Sequence, residues 1–106
     1  MAPVVGDARR AAASDLPRLT WTAEAVADLA GHRRRIALDN PRAADRVALR
    51  VLDKTELLLA HPRLAPPGPI PGTRALTIGG TRLVVDYRVV GDEVVILSVK
   101  HGAQER

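Results

Sequence analysis

Glycine divides the last third of this chain into strands. Gly79-Gly80 and Gly91-Asp92 separate three apolar, β-branched runs at residues 73–78, 82–90 and 93–100. Glycine adopts the positive φ that tight hairpins demand, so the pattern predicts a three-stranded antiparallel meander. In the middle run Leu83, Val85, Tyr87 and Val89 alternate with Arg82, Val84, Asp86 and Arg88, which sends the two sets to opposite faces. In the last run Val95, Leu97 and Val99 share a face that His101 continues, with Ile96, Ser98 and Lys100 opposite.

Upstream the period changes from two to 3.6. Thr22 is a suitable N-cap, with Glu24 in the first turn, and Val26, Leu29, Ala30, Arg33, Ile36 and Ala37 follow helical spacing over residues 23–38. Asn40-Pro41 supplies a second cap and a proline at the first helical position. The second helix runs to about Ala60, with Ala44, Val47, Ala48, Val51, Leu52, Thr55, Leu58 and Leu59 as its buried stripe, and His61-Pro62 ends it. So short a connection folds the two helices into a hairpin. Residues 63–71 are rich in proline and form a stiff connector, and Leu16 to Trp21 reads as a short edge strand. The order is βααβββ: an α+β fold in which an antiparallel sheet packs on a helical hairpin. Residues 1–15 read as a flexible extension, and residues 16–106 as one domain.

Composition narrows the functional classes. The 106 residues contain no Cys, so disulfides and thiolate metal sites are excluded. They contain no Phe, one Trp and one Tyr, too few for the aromatic platform on which single-stranded RNA stacks. No apolar run reaches the roughly 20 residues that span a bilayer, and no signal-peptide pattern is visible at the start. A cytoplasmic protein without membrane contact is the expectation. The three histidines fall in separate elements, so no metal spacing is present, and no glycine loop leads from a strand into a helix to cradle a cofactor phosphate. The net charge of +4 is spread along the chain and favours an acidic or nucleic-acid partner only weakly.

Two sets of basic residues stand out. Arg42, Arg46, Arg50 and Lys54 recur every four residues and line one stripe of the second helix. This is either a surface for an acidic partner or a solvated face, with Asp45 and Asp53 as local counterions. Arg74, Arg82, Arg88, Lys100 and His101 lie on the sheet or at its ends. A ribonuclease could use such a set, with His101 as the only group suited by its own pKa to be a base, and Arg82 and Lys100 on the phosphate. Pairing of Asp86 with Arg82 and Arg88 would instead give an ion-paired sheet face.

Short motifs in a fixed order add a family resemblance. They are Trp21-Thr22-Ala23-Glu24-Ala25 before Asp28-Leu29, then Asp39-Asn40-Pro41-Arg42-Ala43-Ala44, then His61-Pro62-Arg63-Leu64. Gly72-Thr73-Arg74-Ala75-Leu76, Tyr87-Arg88-Val89 and His101-Gly102-Ala103-Gln104 follow. Over about residues 18–104 the chain resembles the RelE/ParE superfamily of bacterial type II toxins. The RelE branch often carries a C-terminal tyrosine. Here the only tyrosine lies inside a strand and no aromatic follows it, which favours the ParE branch. The resemblance implies a toxin that inhibits growth through DNA gyrase and replication, without a cofactor and without catalysis, and that a ParD-like antitoxin neutralises. Arg74, Arg88, Lys100, His101 and Gln104 are then candidate target contacts, and Arg42, Arg46, Arg50 and Lys54 candidate antitoxin contacts. The RelE-like alternative is a messenger-RNA endoribonuclease acting on the ribosome, with His101, Arg82 and Lys100 as its catalytic set. A module that binds antitoxin and is not toxic is the third possibility.

Overall fold

Each helix begins where a side chain caps it. Thr22 Oγ1 accepts from the Ala25 amide at 3.1 Å, and Asn40 Oδ1 accepts from the Ala43 amide at 3.1 Å. The computed structural model describes residues 17–102, so the proposed extension over residues 1–15 lies outside the described residues. The elements are β1 (Arg18–Trp21), α1 (Ala23–Ala37), α2 (Pro41–Ala60), β2 (Arg74–Thr77), β3 (Leu83–Val90) and β4 (Glu93–His101), the expected βααβββ order.

The sheet order is β1-β4-β3-β2. The meander β2-β3-β4 is antiparallel as expected, and β1 joins β4 in parallel, so the sheet is mixed. The helical hairpin is the reason: β1 and β2 run in the same direction at opposite edges, and such a return requires a crossover long enough to span the sheet.

The core lies between the hairpin and one sheet face. Val51 and Leu58 of α2 meet Leu76, Val85, Tyr87, Val94, Ile96 and Val99 there. Tyr87 is the largest fully buried side chain. Its hydroxyl donates to the Pro62 carbonyl at 2.8 Å and accepts the Ala65 amide at 3.3 Å, which fastens the proline-rich connector to the sheet.

Two expectations about side-chain direction are corrected. Ile96 pairs with Tyr87 and Ser98 with Asp86, so Leu97 is an extra residue in β4. Such a bulge reverses the alternation. Val94, Ile96 and Val99 therefore all enter the core, whereas strict alternation had put Ile96 opposite Val99. Helix α1 is also rotated from its predicted stripe. Ala25 is its buried residue, and Val26 is 54% exposed. The rotation brings Asp28 and His32 onto β4.

Candidate functional site

The edge of β4 beyond its pairing with β1 is held by side chains. Pairing with β1 stops at Ile96, where the chain turns away into α1. Thr22 Oγ1 then donates to the Leu97 carbonyl at 3.2 Å, and Asp28 Oδ2 accepts the Val99 amide at 3.0 Å. His32 Nε2 lies 2.9 Å from the Val99 carbonyl. A carbonyl only accepts, so Nε2 carries the proton, which leaves Nδ1 as the second ring nitrogen. Sequence reasoning weighed His32 only as a metal ligand. The usable signal was the pairing of Asp28 with His32 four residues later, which puts two polar groups on one side of a helix.

The basic stripe of α2 is divided. Arg42 and Arg46 are exposed, and Lys54 is half-buried. Arg50 reaches the β2–β3 turn and donates to the Gly79 carbonyl at 3.1 Å. Asp45, expected beside Arg42, instead takes Arg33 of α1 at 2.7 Å. Both partners are more than half exposed, so this pair contributes at most about 1 kcal/mol. Beside it lies an apolar groove of about 360 Å³, formed mainly by Trp21, Val26, Leu29, Ala48 and Leu52 with Arg33 at its margin.

The residues singled out on the sheet separate in space. Arg74 pairs with Tyr87 in the ladder and donates to the Ala65 carbonyl at 2.7 Å, so it helps hold the connector. Arg88 is exposed. Asp86, expected to pair with Arg82 and Arg88, is buried and pairs with Lys100 at 2.8 Å, while Ser98 donates to the same carboxylate oxygen at 3.0 Å. Lys100 thus belongs to the sheet face away from the hairpin. His101 and Arg82 line a cleft on the other side, together with His32 and Arg35. The structure therefore brings His101 and Arg82 to one cleft and sets Lys100 on the opposite face. Gln104 lies outside the described residues. Among the described residues, no group of three or more His, Asp or Glu gathers to hold a metal ion. No described helix is long and apolar enough to cross a membrane.

This two-helix hairpin on a four-stranded sheet matches known proteins in both sequence and shape. The family model of the ParE toxin of the type II toxin–antitoxin system parDE matches residues 19–106. The chain belongs to the ParE toxin family. A relative from Sinorhizobium fredii (strain NBRC 101917 / NGR234), "Putative toxin Y4kP", is 34% identical over 88 residues, covering 83% of this chain and 91% of that protein. A chain of the solved structure "Chromosomal ParDE TA system from P. aeruginosa" superposes with a TM-score of 0.74 at 27% identity. That match covers 83% of this chain and 98% of the other. Family membership makes the chain the toxin half of a type II pair, which implies an antitoxin partner.

Proposed function

We propose that this ParE-family toxin arrests bacterial growth in the cytoplasm by surface contact with DNA gyrase, and that a ParD-like antitoxin neutralises it. One observation carries the preference for contact over catalysis. The residues that would form a ribonuclease set are split by the sheet, with Lys100 paired to Asp86 on one face and His101 on the other. A phosphodiester undergoing cleavage needs its base and its charge-stabilising group within hydrogen-bond reach of one atom cluster. The chain's single tyrosine is buried, with its hydroxyl engaged by Pro62 and Ala65, and supplies no alternative acid or base.

The apolar groove beside Trp21 and Leu52 suits the apolar face of an antitoxin helix. Arg42 and Arg46, exposed on α2, would steer acidic residues of that helix. Arg50 is held by the β2–β3 turn and contributes less.

Induced expression of the full chain in a bacterium tests the reading. Growth should stop and the DNA-damage response should rise. Normal growth with soluble protein present would refute toxicity, and loss of messenger RNA with intact DNA would replace gyrase by the ribosome.

A further inference from the structure

At one end of the sheet, between α1, α2 and the β2–β3 turn, lies a cleft of about 270 Å³. His32 and Arg35 enter its lining from α1, Arg82 from the turn and His101 from the end of β4. No carboxylate lines it among the described residues. A third guanidinium stands at its margin. Arg50 is bonded to Gly79, and its Nη1 lies 2.7 Å from where a Cβ on Gly80 would be. On α1, Asp28 stands one turn before His32, and its carboxylate already accepts the Val99 amide.

Two arginines in a concave site whose described lining holds no carboxylate raise the local concentration of anions. The shape of the site indicates which anion. A water occupies roughly 30 Å³ in the liquid, so the cleft has room for an oxyanion together with an organic group. Its inner wall is apolar, with Val47 of α2 and Leu83 of β3. A carboxylate offers two oxygens, which one guanidinium fork satisfies. A phosphate offers more acceptors and suits several donors at once.

We propose that this cleft binds the phosphate of a nucleotide, either free or at the end of a nucleic-acid strand. Arg82 and Arg35 take the phosphate oxygens, a ring N–H of His101 adds a donor, and the sugar rests against Leu83 and Val47. The proposal requires no catalysis and is independent of the toxin's cellular target.

The test is an NMR titration of the purified full chain at low salt with inorganic phosphate, adenosine 5′-monophosphate, adenosine and a short 5′-phosphorylated oligonucleotide. Phosphate and the nucleotide should shift the amides of residues 80–83 and 102, and adenosine should not. Arg82→Gln and Arg35→Gln, both at exposed side chains, should each weaken nucleotide binding roughly ten- to a hundredfold, the range for losing a charge-assisted contact. Arg42→Gln on α2 should leave binding unchanged. Tighter binding of the oligonucleotide than of the nucleotide would identify a strand end as the source, and equal binding a free nucleotide. The proposal fails if millimolar nucleotide leaves these amides unmoved, or if Arg42→Gln weakens binding as much as Arg82→Gln. Stronger binding of a glutamate-rich peptide at the same amides would also overturn it.

Discussion

The Tyr87 hydroxyl donates to the Pro62 carbonyl at 2.8 Å, joining the centre of the sheet to the first residues after α2. The same oxygen accepts the Ala65 amide, and Arg74 takes the Ala65 carbonyl, so side chains of the sheet fasten a connector with little regular structure that backbone bonds from Pro66 and Gly68 to Ala75 and Thr73 also tie down. Tyr87→Phe keeps the ring and deletes the hydroxyl, leaving a buried amide without its partner. The expected loss is about 1–3 kcal/mol, or about 4–8 °C in Tm for each kcal/mol in a domain of this size. Urea denaturation should show it as a lower midpoint at unchanged slope. An unchanged midpoint would mean that the connector is held without the Tyr87 hydroxyl, by the Arg74 bond to Ala65 and the backbone bonds of residues 66–75.

Much of this architecture is readable from local chemistry. Thr22 and Asn40 mark the helix starts because a short polar side chain before an apolar period has few better uses. Gly80 and Gly91 mark the turns because both adopt positive φ, at 78° and 63°. The alternation of β3 correctly groups Leu83, Val85 and Tyr87 on one face, and that face enters the core. Three features were hidden. The bulge at Leu97 depends on pairing between strands, which periodicity within one strand does not encode. The rotation of α1 depends on Asp28 and His32 finding a strand edge distant in sequence. The split of Lys100 from His101 follows from alternation, but the ion pair with Asp86 needed the register of β3 against β4.

Asp28 and His32 do for β4 what a neighbouring strand would otherwise do. Helix α1 buries only Ala25 completely and packs Leu29 partly on the core, and these polar bonds add to that attachment. Asp28→Ala removes the acceptor from the Val99 amide, and Asp28→Asn retains an oxygen there. Hydrogen exchange at Val99 should accelerate strongly in the alanine variant and much less in the asparagine variant. Global stability should fall by about 1–3 kcal/mol in the former. Equal exchange in both variants would show that packing of α1, and not the carboxylate, protects the edge.

Gly80 is constrained in two ways. Its φ of 78° is costly for any residue with a Cβ, and that Cβ would stand 2.7 Å from Arg50 Nη1. The guanidinium is flexible and can move away, so the backbone term dominates. Gly80→Ala should destabilise by about 1–2 kcal/mol, the cost of the left-handed region for an L-residue. Gly79→Ala meets nothing within 4 Å and has no positive φ, so it should cost less. Thermal denaturation of the two variants distinguishes a conformational requirement from general fragility of the turn.

Charge reversal at Arg42 and Arg46 tests how the antitoxin arrives. Both side chains are exposed, and among the described residues neither is bonded to the fold as Arg50 is to Gly79. Arg42→Glu with Arg46→Glu should slow association with the cognate antitoxin about tenfold at low salt and flatten its dependence on ionic strength. Dissociation should change little, because such rim charges act mainly on the encounter. Stopped-flow mixing at several salt concentrations measures both rates. An unchanged association rate would make this stretch of α2 an ordinary solvated face.

His101 separates the two accounts of toxicity. It sits opposite Leu83 in the ladder and lines the cleft that Arg82 shares, while Lys100 faces away. His101→Gln preserves approximate size and hydrogen bonding and removes the imidazole that a base mechanism needs. A ribonuclease using it as a base should lose roughly two to four orders of magnitude in cleavage rate. A toxin that acts on gyrase by contact should retain most of its growth arrest, and the DNA-damage response should persist. A second variant lacking residues 103–106 keeps the Gly102 amide, which bonds to the Arg82 carbonyl and fixes the end of β4. Loss of growth arrest in that truncation, with His101→Gln still toxic, would place the effector contact at the end of the chain. Loss of messenger-RNA cleavage on His101→Gln alone would instead return the chemistry to the cleft.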